Sequence, residues 1–307
     1  MRIGVMLGAD PSVQDNVNSL IERAEQVEKL GFDDVWMAQI FGYDAINTLS
    51  LIAACCQKIG IGTAVTPAYP RHPSALAQQV VTAQEVSGGR FTLGLGLSHK
   101  MVIEDMMGLS YDKPARHMRE YLNALLPLIK GEQAQQNGEH FRVNMQLSVA
   151  NEEPATVLLA ALGPVMLKLA GAVADGTSTW MTGPSTLENH ILPALTSAAQ
   201  EAGKVSPKIC AGFPIVLTSD VDAAKSYIAE NLSIYGHLPS YRAMLDKEGA
   251  EGPADIAMVG DEASLRNQLQ RLRTIGVTHF NGAIAAQDEE GYQRTLEFLA
   301  GEAGTLQ

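Results

Sequence analysis

A proline-rich segment that follows a short apolar run carries the first residues that could do chemistry. Residues 61–65 are short, apolar and rich in β-branched side chains, which predicts a buried strand. Three prolines between positions 67 and 73 then exclude both strand and helix, because each removes a backbone donor and fixes φ. Arg71 and His72 lie in this rigid loop. A cation and an imidazole at the end of a core strand are typical of an α/β enzyme site, and a rigid connector with a surface Arg–His pair is the alternative.

Three later turns, each at the end of a predicted strand, are candidate phosphate sites. They are Gly94 to Lys100, which includes Gly96, Ser98 and His99, then Gly163-Pro164, and then Met181 to Pro184, which includes Thr182 and Gly183. Free backbone N–H groups in such turns and at helix starts can bind an anion, and Lys100 adds positive charge. Glycine and proline also serve turn geometry alone, so no single turn is specific. Several such turns together favour a ligand with a phosphate group.

The elements that position these residues alternate between strand and helix. The predicted strands are 3–7, 34–37, 61–65, 91–97, 156–160, 177–181, 209–217 and 278–283. The predicted helices are 13–30, 47–58, 74–86, 114–130, 165–173, 187–202, 221–245 in pieces, 264–274 and 291–300. Strict alternation predicts an α/β protein with a parallel sheet. Eight units that close on themselves form a (β/α)8 TIM barrel, and eight units left open form a doubly wound sheet. No Gly-x-Gly-x-x-Gly follows the first strand, which favours the barrel.

The chain is predicted to be a single TIM-barrel domain over residues 1–307, with an irregular insertion near 131–154, after strand four. Its net charge of −12 disfavours nucleic acid as a partner. Three cysteines form neither a disulfide framework nor a zinc pattern, which fits the cytoplasm. The apolar stretch 157–174 is divided by Gly163-Pro164 and contains Lys168, so we expect no membrane span. Seven scattered histidines without an HExxH motif predict no metal site.

Five collinear motifs within residues 1 to 185 resemble one family. They are Gly31-Phe-Asp-Asp-Val-Trp36, Gly62-Thr-Ala-Val-Thr66 with Arg71-His-Pro73, Gly89-Arg-Phe-Thr-Leu-Gly-Leu-Gly96, Ala161-Leu-Gly-Pro164, and Ala174-Asp-Gly176 running into Trp180. The chain resembles the luciferase-like monooxygenase superfamily, specifically its branch of oxidoreductases that depend on the deazaflavin coenzyme F420. The resemblance implies a homodimeric barrel with an insertion near strand four and a small-molecule substrate.

The same resemblance implies where the cofactor binds. Its ring lies across the barrel mouth against a bulge at the end of strand three, which contains a non-prolyl cis peptide between Ala64 and Val65. The ring then exchanges a hydride with the substrate, while the protein supplies orientation and electrostatics. The implied cofactor-binding residues are Ala64, Val65, Thr66, Arg71, His72, Gly96, Ser98, Lys100, Gly163, Pro164, Met181, Thr182 and Gly183.

Two departures from related sugar-phosphate dehydrogenases affect the predicted chemistry. Gln39 stands where those enzymes carry a histidine, and His99 stands where they carry a glutamate. An amide cannot accept a proton at neutral pH, so oxidation of a hydroxyl by a base at Gln39 is disfavoured. An imidazole, with a reference pKa of about 6.5, can donate one. The Gln39/His99 pair therefore favours reduction of an activated double bond or an imine by the reduced deazaflavin.

Two other functions fit the same sequence. One is a luciferase-like monooxygenase that uses reduced FMN, and the other is a barrel that binds the cofactor without turnover. A long anionic F420 tail needs a local basic channel, for which Arg71, Lys100 and Lys168 are the candidates. The substrate is set by the rim loops, chiefly 101–111 and 231–251, and the sequence does not identify it.

Overall fold

Eight parallel strands close into a barrel in the computed structural model, which describes residues 1–8 and 15–304. The strands are β1 (Arg2–Leu7), β2 (Asp34–Met37), β3 (Gly60–Thr63), β4 (Phe91–Gly96), β5 (Thr156–Ala160), β6 (Gly176–Trp180), β7 (Lys208–Leu217) and β8 (His279–Ile284). Each pairs with the next along the chain, and β8 pairs with β1. The predicted (β/α)8 barrel is confirmed.

Three smaller pieces of sheet accompany the barrel. Thr66–Pro67 continues β3 beyond a bulge and pairs with the end of β4. Met258–Gly260 pairs with the end of β7. Within the predicted insertion, Ala134–Asn137 and Arg142–Met145 form an antiparallel hairpin.

Helices surround the barrel. They are α1 (Val17–Lys29), α2 (Ala45–Cys55), α3 (Pro73–Val86), α4 (Pro114–Ile129), α5 (Pro164–Val173), α6 (Leu192–Glu201), α7 (Val221–Asn231), α8 (Pro239–Glu248), α9 (Glu262–Ile275) and α10 (Glu289–Glu302). Helix α8 stays at the carboxyl-terminal rim, where its last residue, Glu248, contacts the turn at Ser185 and Thr186. The predicted start of the first helix at residue 13 lies outside the described residues. A 3₁₀ turn at Ser233–Gly236 separates α7 from α8 and accounts for the predicted break in that region.

Proline fixes several helix starts at the rim. It is the first residue of α3, α4, α5 and α8, where its missing N–H costs no hydrogen bond and its φ suits a helix. Within residues 1–8 and 15–304, no helix combines the length and the apolar character needed to cross a bilayer.

Two tryptophans fill the barrel interior, and glycines on neighbouring strands make room for them. A β-carbon at Gly4 would lie 2.7 Å from the Trp36 indole nitrogen, and one at Gly62 would overlap the same ring. A β-carbon at Gly212 would lie 2.8 Å from Trp180. The interior is therefore a packed core rather than a pore, and the accessible part of the barrel is its rim.

Candidate functional site

The backbone after β3 forms a bulge at the carboxyl end of the barrel. The peptide between Ala64 and Val65 is cis, as the resemblance implies. The Ala64 N–H donates to Met37 O at 2.8 Å, and the Gln39 N–H donates to Val65 O at 3.3 Å. Ala64 also packs on the buried cluster that contains Trp36. The bulge is therefore held to β2, and both of its side chains remain half-exposed at the mouth.

Strand β4 holds the other side of the bulge. The Thr63 hydroxyl donates to Gly94 O at 2.7 Å and accepts from the Gly94 N–H at 2.9 Å. The Gly94 N–H is thus already paired, so the sequence prediction that it is free to bind an anion is wrong. A β-carbon at Gly94 would overlap Thr63 O, and one at Gly96 would lie 2.6 Å from Val65. Both glycines let β4 approach the bulge closely, and Gly96 is buried beneath it.

Gln39 and Arg71 meet at Asp44, beside the bulge. Asp44 Oδ2 accepts from the Arg71 guanidinium and, at 3.4 Å, from Gln39 Nε2. Asp44 Oδ1 caps α2 by accepting from the Asn47 N–H at 2.9 Å. Gln39 Oε1 accepts from the Ala45 N–H at 3.3 Å. The Gln39 amide therefore supports the start of α2, and the Arg71 charge is balanced by a carboxylate.

The other predicted cations of the cofactor channel are also paired or displaced from the mouth. Lys100 is 3.5 Å from Glu104. Lys168 Nζ lies 3.5 Å from Glu201 Oε2. Glu201 is the last residue of α6, so the Lys168 side chain points towards the far end of that helix and away from the rim. The exposed His72 caps α3, because its Nδ1 accepts from the Ser74 N–H at 3.3 Å. The structure therefore does not bring together the basic channel that the sequence predicts.

His99 is half-buried in the turn after β4. No hydrogen bond or ion pair from another described residue reaches its ring nitrogens, and burial lowers its pKa below the usual 6.5. Its ring contacts Tyr241 of α8, with the ring centroids 5.9 Å apart. An imidazole with unpaired nitrogens at the mouth can donate a hydrogen bond or, when charged, a proton to a bound molecule.

Tyr241 is one member of an aromatic series that crosses the mouth. Its ring lies 4.9 Å from that of Tyr235, which in turn lies 6.2 Å from that of Trp180. We call Trp180, Tyr235 and Tyr241 the aromatic wall. Sequence reasoning missed both tyrosines. The only signal was the presence of two tyrosines six residues apart in the rim segment between β7 and β8.

Two turns remain open to an anion. Gly163 and Pro164 are exposed, and within residues 1–8 and 15–304 no side chain caps the start of α5, which leaves the N–H groups of its first turn for a ligand. Ser98 has φ of 61°, and its carbonyl accepts from the Tyr111 hydroxyl at 3.3 Å. The turn after β4 and the start of α5 thus lie at the ends of the adjacent strands β4 and β5.

The turn after β6 is occupied by the protein itself. Glu248, the last residue of α8, accepts from the Ser185 N–H at 3.1 Å and from the Thr186 N–H and hydroxyl at 2.7 Å each. Met181 and Thr182 are buried, and a β-carbon at Gly183 would overlap Glu248. A carboxylate therefore fills the anion site that the sequence predicts at Met181, Thr182 and Gly183.

The Glu248 cap should stabilise the whole molecule. We expect Glu248→Ala to lower the free energy of unfolding by about 2 kcal/mol, because three donors lose a charged acceptor. Urea unfolding measures the change. Glu251→Ala is the matched control, since this exposed side chain makes no hydrogen bond in the described chain. Equal stability of the two variants would contradict the assignment.

A surface depression of about 580 Å³ lies at the opposite end of the barrel, lined by residues that include Arg2 and Thr278. This is the amino-terminal face, where TIM barrels place stabilising contacts rather than chemistry. Arg2 there holds Asp34 through two hydrogen bonds, of 2.9 and 2.7 Å. The candidate site is therefore the rim that carries the bulge, His99 and the aromatic wall.

Comparison with known proteins agrees with this architecture. The profile of the luciferase-like monooxygenases matches residues 1–279. A 5,10-methylenetetrahydromethanopterin reductase from Methanolobus tindarius is 28% identical over 221 residues, which cover 72% of this chain and 67% of that protein.

Two solved structures show the same fold. An F420-dependent secondary alcohol dehydrogenase in complex with an F420–acetone adduct superposes with a TM-score of 0.82 at 20% identity, covering 99% of this chain and 98% of that one. The oxygenating constituent of 3,6-diketocamphane monooxygenase from Pseudomonas putida, in complex with FMN, superposes with a TM-score of 0.78 at 15% identity, covering 100% and 98%. With its profile match spanning most of its length, the chain belongs to the luciferase-like monooxygenase family.

Proposed function

We propose that the protein is an oxidoreductase that uses coenzyme F420 and reduces an activated C=C or C=N bond of a small organic molecule. The observation that supports this most is the half-exposed apolar bulge Ala64–Val65, which packs against Gly96, three residues before His99. A relative named as a 5,10-methylenetetrahydromethanopterin reductase supports reduction as the reaction, and a neighbour named as an F420-dependent secondary alcohol dehydrogenase supports the cofactor.

The residues present fit a deazaflavin. Ala64 and Val65 form an apolar floor of the kind that a planar ring requires, and Trp36 packs beneath it. The Thr66 hydroxyl is buried next to the bulge without a hydrogen-bond partner in the described chain, so it can bond a polar edge of the ring. The uncapped start of α5 at Gly163-Pro164 and the Ser98 turn can hold the anionic tail.

When bound, a deazaflavin supplies or accepts a hydride, which carries two electrons. Reduction of the acceptor then needs one proton, and we propose that His99 donates it to the atom that gains negative charge. Gln39 does not accept a proton in this scheme, because its amide holds the start of α2. Since burial lowers the pKa of His99, its charged fraction grows as the pH falls towards that value.

Cofactor choice is the first test of the proposal. We expect F420 to bind at least about tenfold more tightly than FMN, because α5 and the Ser98 turn provide for an anionic tail. A titration that follows the fluorescence of each cofactor measures both affinities. If FMN bound more tightly, and if the protein consumed oxygen when loaded with reduced FMN, the result would instead support a monooxygenase. F420 binding with no acceptor reduced faster than in buffer would support a barrel without turnover.

Two further features of the proposal concern the molecule as a whole. We propose a homodimer, which light scattering during size-exclusion chromatography tests.

We also propose a cytoplasmic location, which fits three unpaired cysteines, of which Cys56 and Cys210 are buried.

A further inference from the structure

Four loops surround the candidate site, and every lysine and arginine in them forms an ion pair. The loops are residues 39–44, 64–72, 98–111 and 233–242, and together they contain three lysine or arginine residues. These are Arg71, Lys100 and Arg242, and each forms an ion pair, with Asp44, Glu104 and Asp246 respectively. Lys247 follows in the last turn of α8, about 240° around the helix from Tyr241, so it faces away from the wall.

The same loops expose apolar side chains instead. Phe41 is 68% exposed, Met106 is 58% exposed and Ile234 is 50% exposed, and each follows a different strand. Apolar groups concentrated on one rim mark a ligand site more often than chance exposure does. Methionine and aromatic side chains also adapt to varied apolar ligands.

We propose that Tyr235 and Tyr241 are the substrate-recognition residues of this site, and that it takes an uncharged, apolar acceptor such as a conjugated cyclic enone or imine. This inference rests on the proposed function. The rings of the wall contact one another edge to face, and all three side chains are only half-buried, so part of their surface is left for a ligand. A substrate carboxylate or phosphate would lose water against that surface, and in the described chain no lysine or arginine of the four loops is left unpaired to bind it, which makes its binding unfavourable.

The reaction balances with the groups already named. For an enone, a bound reduced deazaflavin would supply the hydride that the β-carbon gains, and the electrons of the C=C bond would move towards the carbonyl. His99 in its charged form supplies the proton, which gives the saturated ketone, oxidised cofactor and neutral imidazole. The aromatic wall takes no part in the bond changes and acts only on binding and orientation.

A matched pair of probes tests the proposal: cyclohex-2-enone and 3-oxocyclohex-1-ene-1-carboxylate. With reduced F420, we expect kcat/KM to be at least about 100-fold lower for the carboxylate, because its charge stays unpaired. Ligand-observed NMR on the protein loaded with oxidised F420 should give the same order of affinity, and this arm does not need turnover. Equal binding of the two probes would overturn the proposal.

Variants test the named tyrosines. We expect Tyr235→Ala and Tyr241→Ala to raise KM for cyclohex-2-enone at least about tenfold, with F420 affinity unchanged. Tyr241→Phe should retain the parent KM, since the ring carries the contact. Tyr227→Ala, on α7 and without an aromatic contact in the described chain, is the control. An unchanged KM in both alanine variants would contradict the assignment.

A charge-gain variant supplies the converse test. Ile234→Lys places an unpaired cation beside Tyr235, and we expect it to lower KM for the carboxylate at least about tenfold. An unchanged KM for the carboxylate would mean that the lack of an unpaired cation is not what disfavours anionic substrates, and this result would overturn the proposal. Failure of the proposed function looks different: F420 would not bind, or no acceptor would oxidise reduced F420 in the unaltered protein.

Discussion

Replacing Gly94 with alanine is expected to lower the free energy of unfolding by about 3 kcal/mol and to abolish F420 binding. A β-carbon at this position would overlap the carbonyl oxygen of Thr63, which is backbone and cannot rotate away. Relief requires Thr63 to move, and this movement would break the two hydrogen bonds between its hydroxyl and Gly94. The bulge at Ala64–Val65 would shift with it. Urea unfolding and a fluorescence titration with F420 measure the two effects.

Gly42→Ala is the matched control for that experiment. Nothing lies within 4 Å of a β-carbon at Gly42, so we expect stability to change by no more than about 0.5 kcal/mol. If Gly94→Ala kept both the stability and the F420 affinity of the control, the close approach of β4 would have no role in shaping the site.

Replacing His99 with alanine should lower kcat with reduced F420 by about 100-fold, which is the usual contribution of one general acid. In the unaltered protein the charged imidazole is the active form. The rate should therefore fall as the pH rises through the His99 pKa, which burial places below 6.5. In His99→Ala this pH dependence should disappear, while F420 affinity stays the same.

His237→Ala controls for the loss of any exposed histidine near the rim, and it should keep the parental rate and pH profile. A His99→Ala variant with unchanged kcat at every pH would remove His99 from the mechanism. A lower kcat that retained the parental pH profile would show that another group donates the proton.

Most of the barrel could be predicted from the sequence, because buried strands are short apolar runs between glycines and prolines. The strand predicted at 156–160 has those bounds in the structure. The strand predicted at 61–65 ends earlier, at Thr63, since the bulge interrupts the ladder there. The cis peptide itself followed from the family resemblance, because no local pattern of side chains indicates it.

The site was harder to predict because its contacts join residues that are distant in sequence. The sequence shows that a helix starts at Pro184, but the carboxylate that occupies this start comes from Glu248, 62 residues beyond Thr186. The arginine of the proline loop is balanced by Asp44, 27 residues before it. The aromatic contacts of His99 come from the segment after β7. Each contact depends on closure of the barrel, which local periodicity does not encode.

We expect this barrel to transfer a hydride from reduced F420 to an organic acceptor. The most direct measurement uses reduced F420 that carries deuterium at its hydride-donating carbon, with cyclohex-2-enone as the acceptor, followed by mass spectrometry of the product. We predict one deuterium in each molecule of cyclohexanone, bound to the former β-carbon. Oxidation of F420 without deuterium in the product, or incorporation of oxygen from O₂, would contradict the account.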